Sequence, residues 1–256
     1  KTEEDFSEVP NILEFKDFSV NMPSERSRNL SFSIKKGEIF GIAGLAGHGK
    51  ISIADGLMGL YPATGGILYN GNSLDFRNTL QTLRNKIAYV SEDRRGLGLM
   101  LDESIERNIV SASMQVQNMY LRKMGCFNFY DRNAATKRVQ ECIKEFDIRC
   151  TSLRQLVRQL SGGNQQKVCL ARAIIMDPEV LFVSEPTRGI DFGAKKMILA
   201  CLVRLNKDKG MTIVMTSSEL AELRSVCNRI MIVTEGRVAG ILRPDDDDFK
   251  FGLLMS

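Results

Sequence analysis

Several features that mark particular classes of protein are missing from this 256-residue sequence. No apolar run approaches the roughly 20 residues that a helix needs to span a bilayer. The single histidine, His48, excludes a multi-histidine metal centre, and a Ser-His-Asp triad would have to run through it. The six cysteines form no Cys-x-x-Cys pair, which favours reduced, buried or partly buried thiols in the cytosol over a metal site or a disulfide framework. They are Cys126, Cys142, Cys150, Cys169, Cys201 and Cys227.

The charge and the two ends of the chain exclude further classes. A net charge of +4 is too small to predict a nucleic-acid partner from electrostatics alone. The polar, acidic start does not fit a signal peptide, and without an initiating Met we expect a fragment of a longer protein. The run Asp245–Asp248 favours a solvated acidic tail over a calcium loop, because the spaced ligands of an EF-hand are absent.

The hydrophobic pattern predicts an α/β fold, because strand-like stretches alternate with helical ones as in a largely parallel sheet. The predicted strands are Ile12–Val20, Leu30–Ile34, Ile39–Ala43, Ile87–Val90, Val180–Val183, Thr212–Thr216 and Arg229–Val233, with a turn and a short strand at Gly65–Gly71. The predicted helices are Lys50–Leu60, Asn164–Met176, Ala194–Lys207 and Ala221–Cys227.

One segment, from about residue 103 to residue 159, is long, charged and helix-periodic, with few strand signals. We expect it to form a helical lobe inserted into a single domain. The core of that domain then covers residues 11–102 and 160–242, and the tail covers residues 243–256.

The run Gly44–Lys50 (GLAGHGK) follows a predicted strand and opens a predicted helix. Glycines in that position let the backbone wrap an anion, so that successive N–H groups point inward at a helix N-terminus. Lys50 would then reach the phosphates of a nucleotide. A phosphate loop normally continues with Ser or Thr, whose hydroxyl binds Mg²⁺, but here Ile51 has no oxygen. Ser52 follows one position late for the metal, although it could still contact a phosphate.

A second motif, Leu160–Val168 (LSGGNQQKV), predicts a Ser-Gly-Gly turn that caps a helix. These nine residues resemble the signature of the ABC ATPase family in the form found in sugar importers. Val180–Asp191 (VLFVSEPTRGID) is similar to the Walker B strand and D-loop of that family, and Gly193–Lys196 continues the likeness. Tyr89–Leu97 and Ser217–Leu220 resemble the second ATPase half of tandem monosaccharide importers. The motifs stand in the family's order from about Ile12 to Val238.

The resemblance implies the ABC ATPase fold: a P-loop core with a parallel sheet, an antiparallel β region and an inserted helical lobe. It also implies that two domains pack head to tail, with each ATP between the phosphate loop of one and the signature of the other. Nucleotide contacts are then expected from Gly44, Gly47, His48, Gly49, Lys50, Ile51, Ser52, Glu92, Ser161, Gly162, Gly163, Gln165, Asp191 and Ser218. An aromatic residue that stacks on adenine is not evident, and Phe18 is expected in the core.

The two half-sites implied by the resemblance differ in quality. Glu185 stands where the family has its catalytic base, but Ser184 replaces the metal-side carboxylate and Ser218 replaces the switch histidine. With Ile51 as well, Mg²⁺ lacks its usual protein ligands at this loop. We expect ATP binding without useful hydrolysis; full activity and no nucleotide binding are the alternatives, and a Ser184 introduced by engineering is a further one. The signature is complete, so it can serve an ATP site on another domain.

The resemblance therefore predicts one ATPase half of an importer for sugars or related small solutes. Its expected partners are a second ABC domain, in the same polypeptide, and transmembrane permease subunits, on the cytoplasmic face of the cell membrane. No nucleic acid is expected as a partner. A nucleoside importer is a close variant, and an ABC protein that acts on ribosomes or DNA belongs to a different class, although no basic arm is evident. A scaffold that binds no nucleotide is a third alternative.

Overall fold

The computed structural model describes residue 6, residues 8–124 and residues 127–255. These residues form two compact units. Unit 1 takes the described residues of Lys1–Tyr89, Glu179–Glu185 and Leu202–Ser256. Unit 2 takes those of Val90–Pro178 and Pro186–Cys201.

Strands and helices both contribute to the described chain. The strands are β1 (Asn11–Asn21), β2 (Arg26–Lys35), β3 (Ile39–Ala43), β4 (Ala63–Tyr69), β5 (Asn72–Ser73), β6 (Ile87–Val90), β7 (Leu121–Met124), β8 (Phe127–Tyr130), β9 (Val180–Ser184), β10 (Thr212–Thr216), β11 (Arg229–Thr234) and β12 (Arg237–Leu242). The α-helices are α1 (Ser52–Leu57), α2 (Thr79–Arg84), α3 (Ile105–Gln117), α4 (Arg132–Glu145), α5 (Gly162–Ile174), α6 (Phe192–Lys209), α7 (Leu220–Val226) and α8 (Asp248–Met255). A π-helical turn covers Arg94–Gly98 and a 3-10 turn covers Val157–Gln159.

A six-stranded sheet in the order β12-β11-β3-β10-β9-β6 is the centre of unit 1. Strand β10 runs parallel to β3 and to β9, and β11 runs parallel to β3, whereas β12 is antiparallel to β11. Every residue of β3, β9 and β10 is buried, which explains why these strands are continuous apolar runs in the sequence. The predicted parallel sheet is therefore confirmed. Because β3 and β9 both run parallel to β10, their carboxyl-terminal ends lie at the same edge of the sheet.

The predicted antiparallel region of unit 1 is a four-stranded sheet in the order β2-β1-β4-β5. Val20 pairs with Ser27 and Asn21 with Arg26, so that residues 22–25 turn the chain from β1 into β2. The rings of Phe15 and Phe32 stack with their centroids 4.4 Å apart. Phe18 is fully buried and meets Phe15 edge to face, which confirms its predicted place in the core.

Unit 2 contains helices α3, α4 and α5, and α3 packs against both α4 and α5. Strands β7 and β8 form an antiparallel hairpin between α3 and α4, which the sequence pattern did not predict. The hairpin is missed because each strand has four residues, too few for a period of two to stand out from the helical periodicity around it. Cys126 lies outside the described residues. Of the other cysteines, Cys142, Cys169 and Cys227 are buried thiols, and Cys150 and Cys201 are partly buried thiols.

The C-terminal segment is more ordered than the expected solvated tail. The acidic side chains of Asp245, Asp247 and Asp248 are exposed, but Asp248 is also the first residue of α8. Phe251 is 1% exposed, and the hydroxyl of Thr234 donates to the carbonyl of Leu254 at 2.7 Å. The tail therefore packs onto unit 1 through an apolar residue that follows the charged run. Within the described residues, no helix has both the length and the apolar character that a membrane crossing requires.

Candidate functional site

The phosphate loop of unit 1 joins the end of β3 at Ala43 to the start of α1 at Ser52. Gly49 has a φ of +98°, and a Cβ atom there would lie 2.5 Å from the carbonyl oxygen of Arg26. A Cβ at Gly44 would lie 2.5 Å from the carbonyl oxygen of Val233. Both positions therefore require glycine, because neighbouring backbone leaves no room for a Cβ atom. The positive φ of Gly49 is a second reason at that position.

His48 fixes the outer side of the loop. Its carbonyl accepts from the N–H of Gly236 at 3.0 Å, its N–H donates to Leu45 at 3.2 Å, and its Nδ1 lies 3.4 Å from the N–H of Glu235. These contacts hold the loop against the turn between β11 and β12. A nucleotide contact from His48 stays a prediction.

Lys50 brings three of the predicted site residues together. It is 1% exposed, and its Nζ donates to the carbonyl of Gly44 at 2.9 Å and to Ser218 Oγ at 2.7 Å. The same Nζ lies 3.3 Å from Glu185 Oε1, and the Ser218 hydroxyl donates to that oxygen at 2.6 Å. The ammonium group is therefore placed to hold an anion, and in this arrangement the anion is the carboxylate of Glu185.

A further carboxylate, which sequence reasoning missed, meets the backbone of the loop. Glu25 Oε1 accepts from the N–H of Gly47 at 3.1 Å, and Glu25 Oε2 accepts from the N–H of Ile51 at 2.9 Å. No sequence signal links this residue of the β1–β2 turn to the loop, because the contact exists only in the folded sheet. It demonstrates that the N–H groups of the loop converge on one anionic group.

Glu185 itself sits at a special backbone position. It follows the last residue of β9 and has a φ of +47°, in the left-handed region that few residues other than glycine adopt. Its N–H donates to the carbonyl of Thr216 at 2.8 Å, so the end of β10 holds it in place. Strained positions of this kind are concentrated at functional sites.

The residues at the usual metal position do not fit Mg²⁺. Ile51 is 8% exposed and carries no oxygen. The Ser52 hydroxyl donates to the carbonyl of Gly49 at 2.8 Å and lies 3.2 Å from Ser27 Oγ, so it is engaged inside the unit. Ser184 is buried, and its Oγ accepts from the hydroxyl of Tyr89 at 3.4 Å. Ile51, Ser52 and Ser184 therefore present neither a carboxylate nor an open hydroxyl to a cation, whereas the N–H groups of the loop are donors that suit a phosphate.

The signature motif of unit 2 forms the first turn of α5. Ser161 is the N-cap, and its Oγ accepts from the backbone N–H of Asn164 at 3.5 Å and from its side-chain amide at 3.0 Å. A Cβ at Gly162 would lie 3.2 Å from the carbonyl oxygen of Gly189. A Cβ at Gly163 would lie 2.8 Å from the Cβ atom of Ala194. The glycines therefore let the residues around the start of α6 approach the N-terminus of α5.

Two other predicted residues of unit 2, Gln165 and Asp191, make contacts within that unit. Gln165 is buried, and its amide donates to the carbonyls of Val157 and Leu160, both at 3.2 Å. Asp191 accepts from the N–H of Ala194 at 3.0 Å, just before α6. Their roles toward a nucleotide stay predictions.

Glu92 is also in unit 2, where it pairs with a residue that the sequence did not single out. Its Oε2 accepts from Arg188 at 3.0 Å.

The thiol of Cys169 is also in unit 2. Burial raises the pKa of this thiol to about 12, although the charges of Arg94 and Arg172 lower it. Cys169 is therefore a packing residue and not a reactive thiol.

The comparisons with known proteins show the family of the chain. A family model described as ABC transporter matches residues 27–188, well over half of the chain. The ribose import ATP-binding protein of Clostridium perfringens strain 13 is 39% identical over 235 residues, which cover 91% of this chain and 45% of that protein. The xylose import ATP-binding protein of Thermoanaerobacter pseudethanolicus is 35% identical over 235 residues, which cover 90% of this chain and 45% of that protein. The chain spans less than half the length of these curated relatives.

Solved structures support the same fold. The dimeric ATP-binding cassette MJ0796 with ADP and phosphate superposes with a TM-score of 0.76 at 24% identity, over 92% of this chain and all of that one. The cbiO1 part of the cbiONQ transporter complex of Clostridium perfringens has a TM-score of 0.71 at 25% identity, over 91% of this chain and 89% of that one. The fold is the mixed α/β fold of ABC cassettes. The family match and the relatives together establish that the chain belongs to the ABC transporter ATP-binding family.

Proposed function

We propose that this chain is one ATPase half of an importer for a sugar or related small solute. Its own phosphate loop binds nucleotide without useful hydrolysis, and its signature helix completes the ATP site of a second ABC domain. Relatives that are import proteins for ribose and for xylose support the solute class. The second domain belongs to the same polypeptide, and permease subunits hold the assembly at the inner face of the membrane.

One observation carries the proposal: the loop presents its donors to anions, whereas Ile51, Ser52 and Ser184 offer no open oxygen at the position where the family binds Mg²⁺. Lys50 and the N–H groups of Gly47 and Ile51 already bind carboxylates, whereas Ile51 replaces the oxygen that would reach the cation. These donors would hold the phosphates of ATP. Mg²⁺, where it is bound, supplies several kcal/mol of charge stabilisation in phosphoryl transfer. A loss of ~4 kcal/mol slows the chemical step about a thousandfold.

The complete signature supports the second part of the proposal. Ser161, which is exposed, caps α5, and the N–H groups at the start of this helix are donors of the kind that suits an anion from outside the chain. A homodimer would combine two sites that both lack metal ligands, which favours a partner domain with its own complete phosphate loop. The chain then assists hydrolysis at the partner's loop and has a regulatory role at its own.

Equilibrium binding of a fluorescent ATP analogue, in Mg²⁺ and in EDTA, tests the proposal together with release of inorganic phosphate. We expect the two dissociation constants to agree within about threefold, a difference of less than about 1 kcal/mol. We expect phosphate release by the isolated chain to stay at background. Mg²⁺-dependent hydrolysis at an ordinary ABC rate, or no binding in either buffer, contradicts the proposal.

A further inference from the structure

Glu25 has the contacts of a bound anion rather than those of a surface residue. It is 6% exposed, and each of its two carboxylate oxygens accepts from a different N–H group of the phosphate loop, one from Gly47 and one from Ile51. A concave run of backbone N–H groups is a general device for holding anions, phosphates included. The carboxylate therefore uses donors that the glycine-rich loop would offer to a nucleotide phosphate.

The fold places Glu25 there through its backbone. The register of β1 and β2 ends at the pair Asn21 and Arg26, and the N–H of Met22 donates to the carbonyl of Glu25 at 3.2 Å. The next carbonyl, that of Arg26, is so close to Gly49 that no Cβ fits between them. The tight turn of residues 22–25 therefore presents one carboxylate to the loop.

The second anion-binding group of the site is also occupied from within the chain. Lys50 Nζ lies 3.3 Å from Glu185 Oε1. Nucleotide phosphates would thus meet two carboxylates: one on the backbone donors and one on the ammonium group. Glu185 stands at the position of the family's catalytic base, so a role in hydrolysis would account for it. That role does not account for Glu25, a buried carboxylate of the β1–β2 turn that binds the loop.

We propose that Glu25 is an internal competitor of the nucleotide: its carboxylate and a nucleotide phosphate exclude each other at the N–H groups of Gly47 and Ile51. Binding of ATP or ADP then requires the turn of residues 22–25 to release this side chain. This inference rests on the proposed binding of nucleotide at the loop, and it names the residue that sets the affinity of that site.

Three variants of the full chain test the competition by equilibrium binding of ATP, ADP and adenosine in EDTA. Glu25→Gln places an amide donor opposite a loop N–H and removes the charge. Glu25→Asp keeps the charge but is one methylene too short to meet both donors. Glu235→Gln is the matched control, because it removes an exposed carboxylate from the neighbouring β11–β12 turn. Thermal denaturation verifies that each variant is folded.

We expect Glu25→Gln to bind ATP and ADP about tenfold tighter and Glu25→Asp several-fold tighter, since charge-assisted hydrogen bonds no longer have to be broken. Adenosine affinity and the control should change by less than about twofold. Equal affinity for all four chains overturns the competition and leaves the proposed binding standing. An equal gain for Glu235→Gln or for adenosine also overturns it. If no chain binds nucleotide, the proposed binding fails, and this inference fails with it.

Hydrogen exchange of the unaltered chain gives a test that needs no substitution. Addition of ADP should speed exchange in a peptide that covers residues 22–28, because Glu25 leaves the loop and the turn loosens. A Glu25 that only stabilises the loop would stay in place, and slower or unchanged exchange in that peptide overturns the proposal.

Discussion

Among single residues, Lys50 forms a buried ion pair at the site. Its ammonium group is buried with the carboxylate of Glu185, which is also nearly inaccessible, and Ser218 joins the two. Removing one partner of a buried ion pair leaves the other charge without compensation. The pair therefore contributes to the stability of unit 1 as well as to its binding chemistry.

Lys50→Met should lower the free energy of unfolding by about 3 kcal/mol, because Glu185 then stays buried without its counter-charge. Urea denaturation measures the change. Adding Glu185→Gln to that background should recover part of the loss, since no charge is left to desolvate. A loss below about 0.5 kcal/mol in the single variant would mean that the pair is solvated or easily separated.

At the scale of single residues, the sequence shows the side chains of each motif but not the contacts that they make. The absence of an oxygen at Ile51 and of a carboxylate at Ser184 is visible in the motif itself. That the Ser52 hydroxyl is engaged by Gly49 is not, because it depends on the path of the loop. Glu25 could not be found at all, since its contact joins segments that come together only in the folded sheet.

Of the individual elements, α5 depends on the smallest possible side chain at its second residue. A methyl group at Gly163 would overlap the side chain of Ala194 on α6, although alanine favours the helix itself. Gly163→Ala and Ala194→Gly should therefore be coupled by about 1–2 kcal/mol in a double-mutant cycle of unfolding free energies. Additive effects would show that α5 and α6 can separate without cost at this point.

Helix α8 is the element that turns an acidic tail into part of unit 1. Phe251 is buried, and the guanidinium of Arg224 lies 5.0 Å from its ring centroid. Phe251→Ala should lower the free energy of unfolding by about 3 kcal/mol, because a cavity replaces the ring. Phe249, at 74% exposure in the same helix, is the control, and Phe249→Ala should change stability by less than about 0.5 kcal/mol. Equal effects of the two substitutions would contradict this account of α8.

Three strands of the six-stranded sheet were the most predictable elements. The bounds of β3, β6 and β10 match the predicted ranges. For β3 and β10, which lie between other strands and are buried throughout, the reason is that a strand covered on both faces is a largely apolar run. Helix α1 is shorter than predicted, since Gly59 with a φ of +70° follows its C-cap at Met58. The β7–β8 hairpin and α8 were not predicted, because short elements depend on contacts with distant segments more than on their own periodicity.

For the whole molecule, the predicted nucleotide contacts are divided between the two units. The phosphate loop, Glu185 and Ser218 belong to unit 1, and the signature, Glu92 and Asp191 belong to unit 2. Because the chain has a proposed nucleotide site of its own at the phosphate loop, ATP should stabilise the folded chain by mass action. At a concentration about 100 times its dissociation constant, ATP should add about 2.7 kcal/mol to the free energy of unfolding. Denaturation with and without ATP should give this increment in EDTA as well as in Mg²⁺, and an increment that needs Mg²⁺ would contradict it.

The central claim, a phosphate loop that binds nucleotide without using Mg²⁺, is tested most directly by restoring the missing ligands. ATP affinity and phosphate release would be measured against Mg²⁺ concentration for the unaltered chain, for Ile51→Ser, for Ser184→Asp and for the double variant. The account predicts that Mg²⁺ leaves the affinity of the unaltered chain unchanged and tightens that of the double variant by about tenfold or more. Mg²⁺-dependent binding and turnover by the unaltered chain, at the level of the double variant, would contradict it.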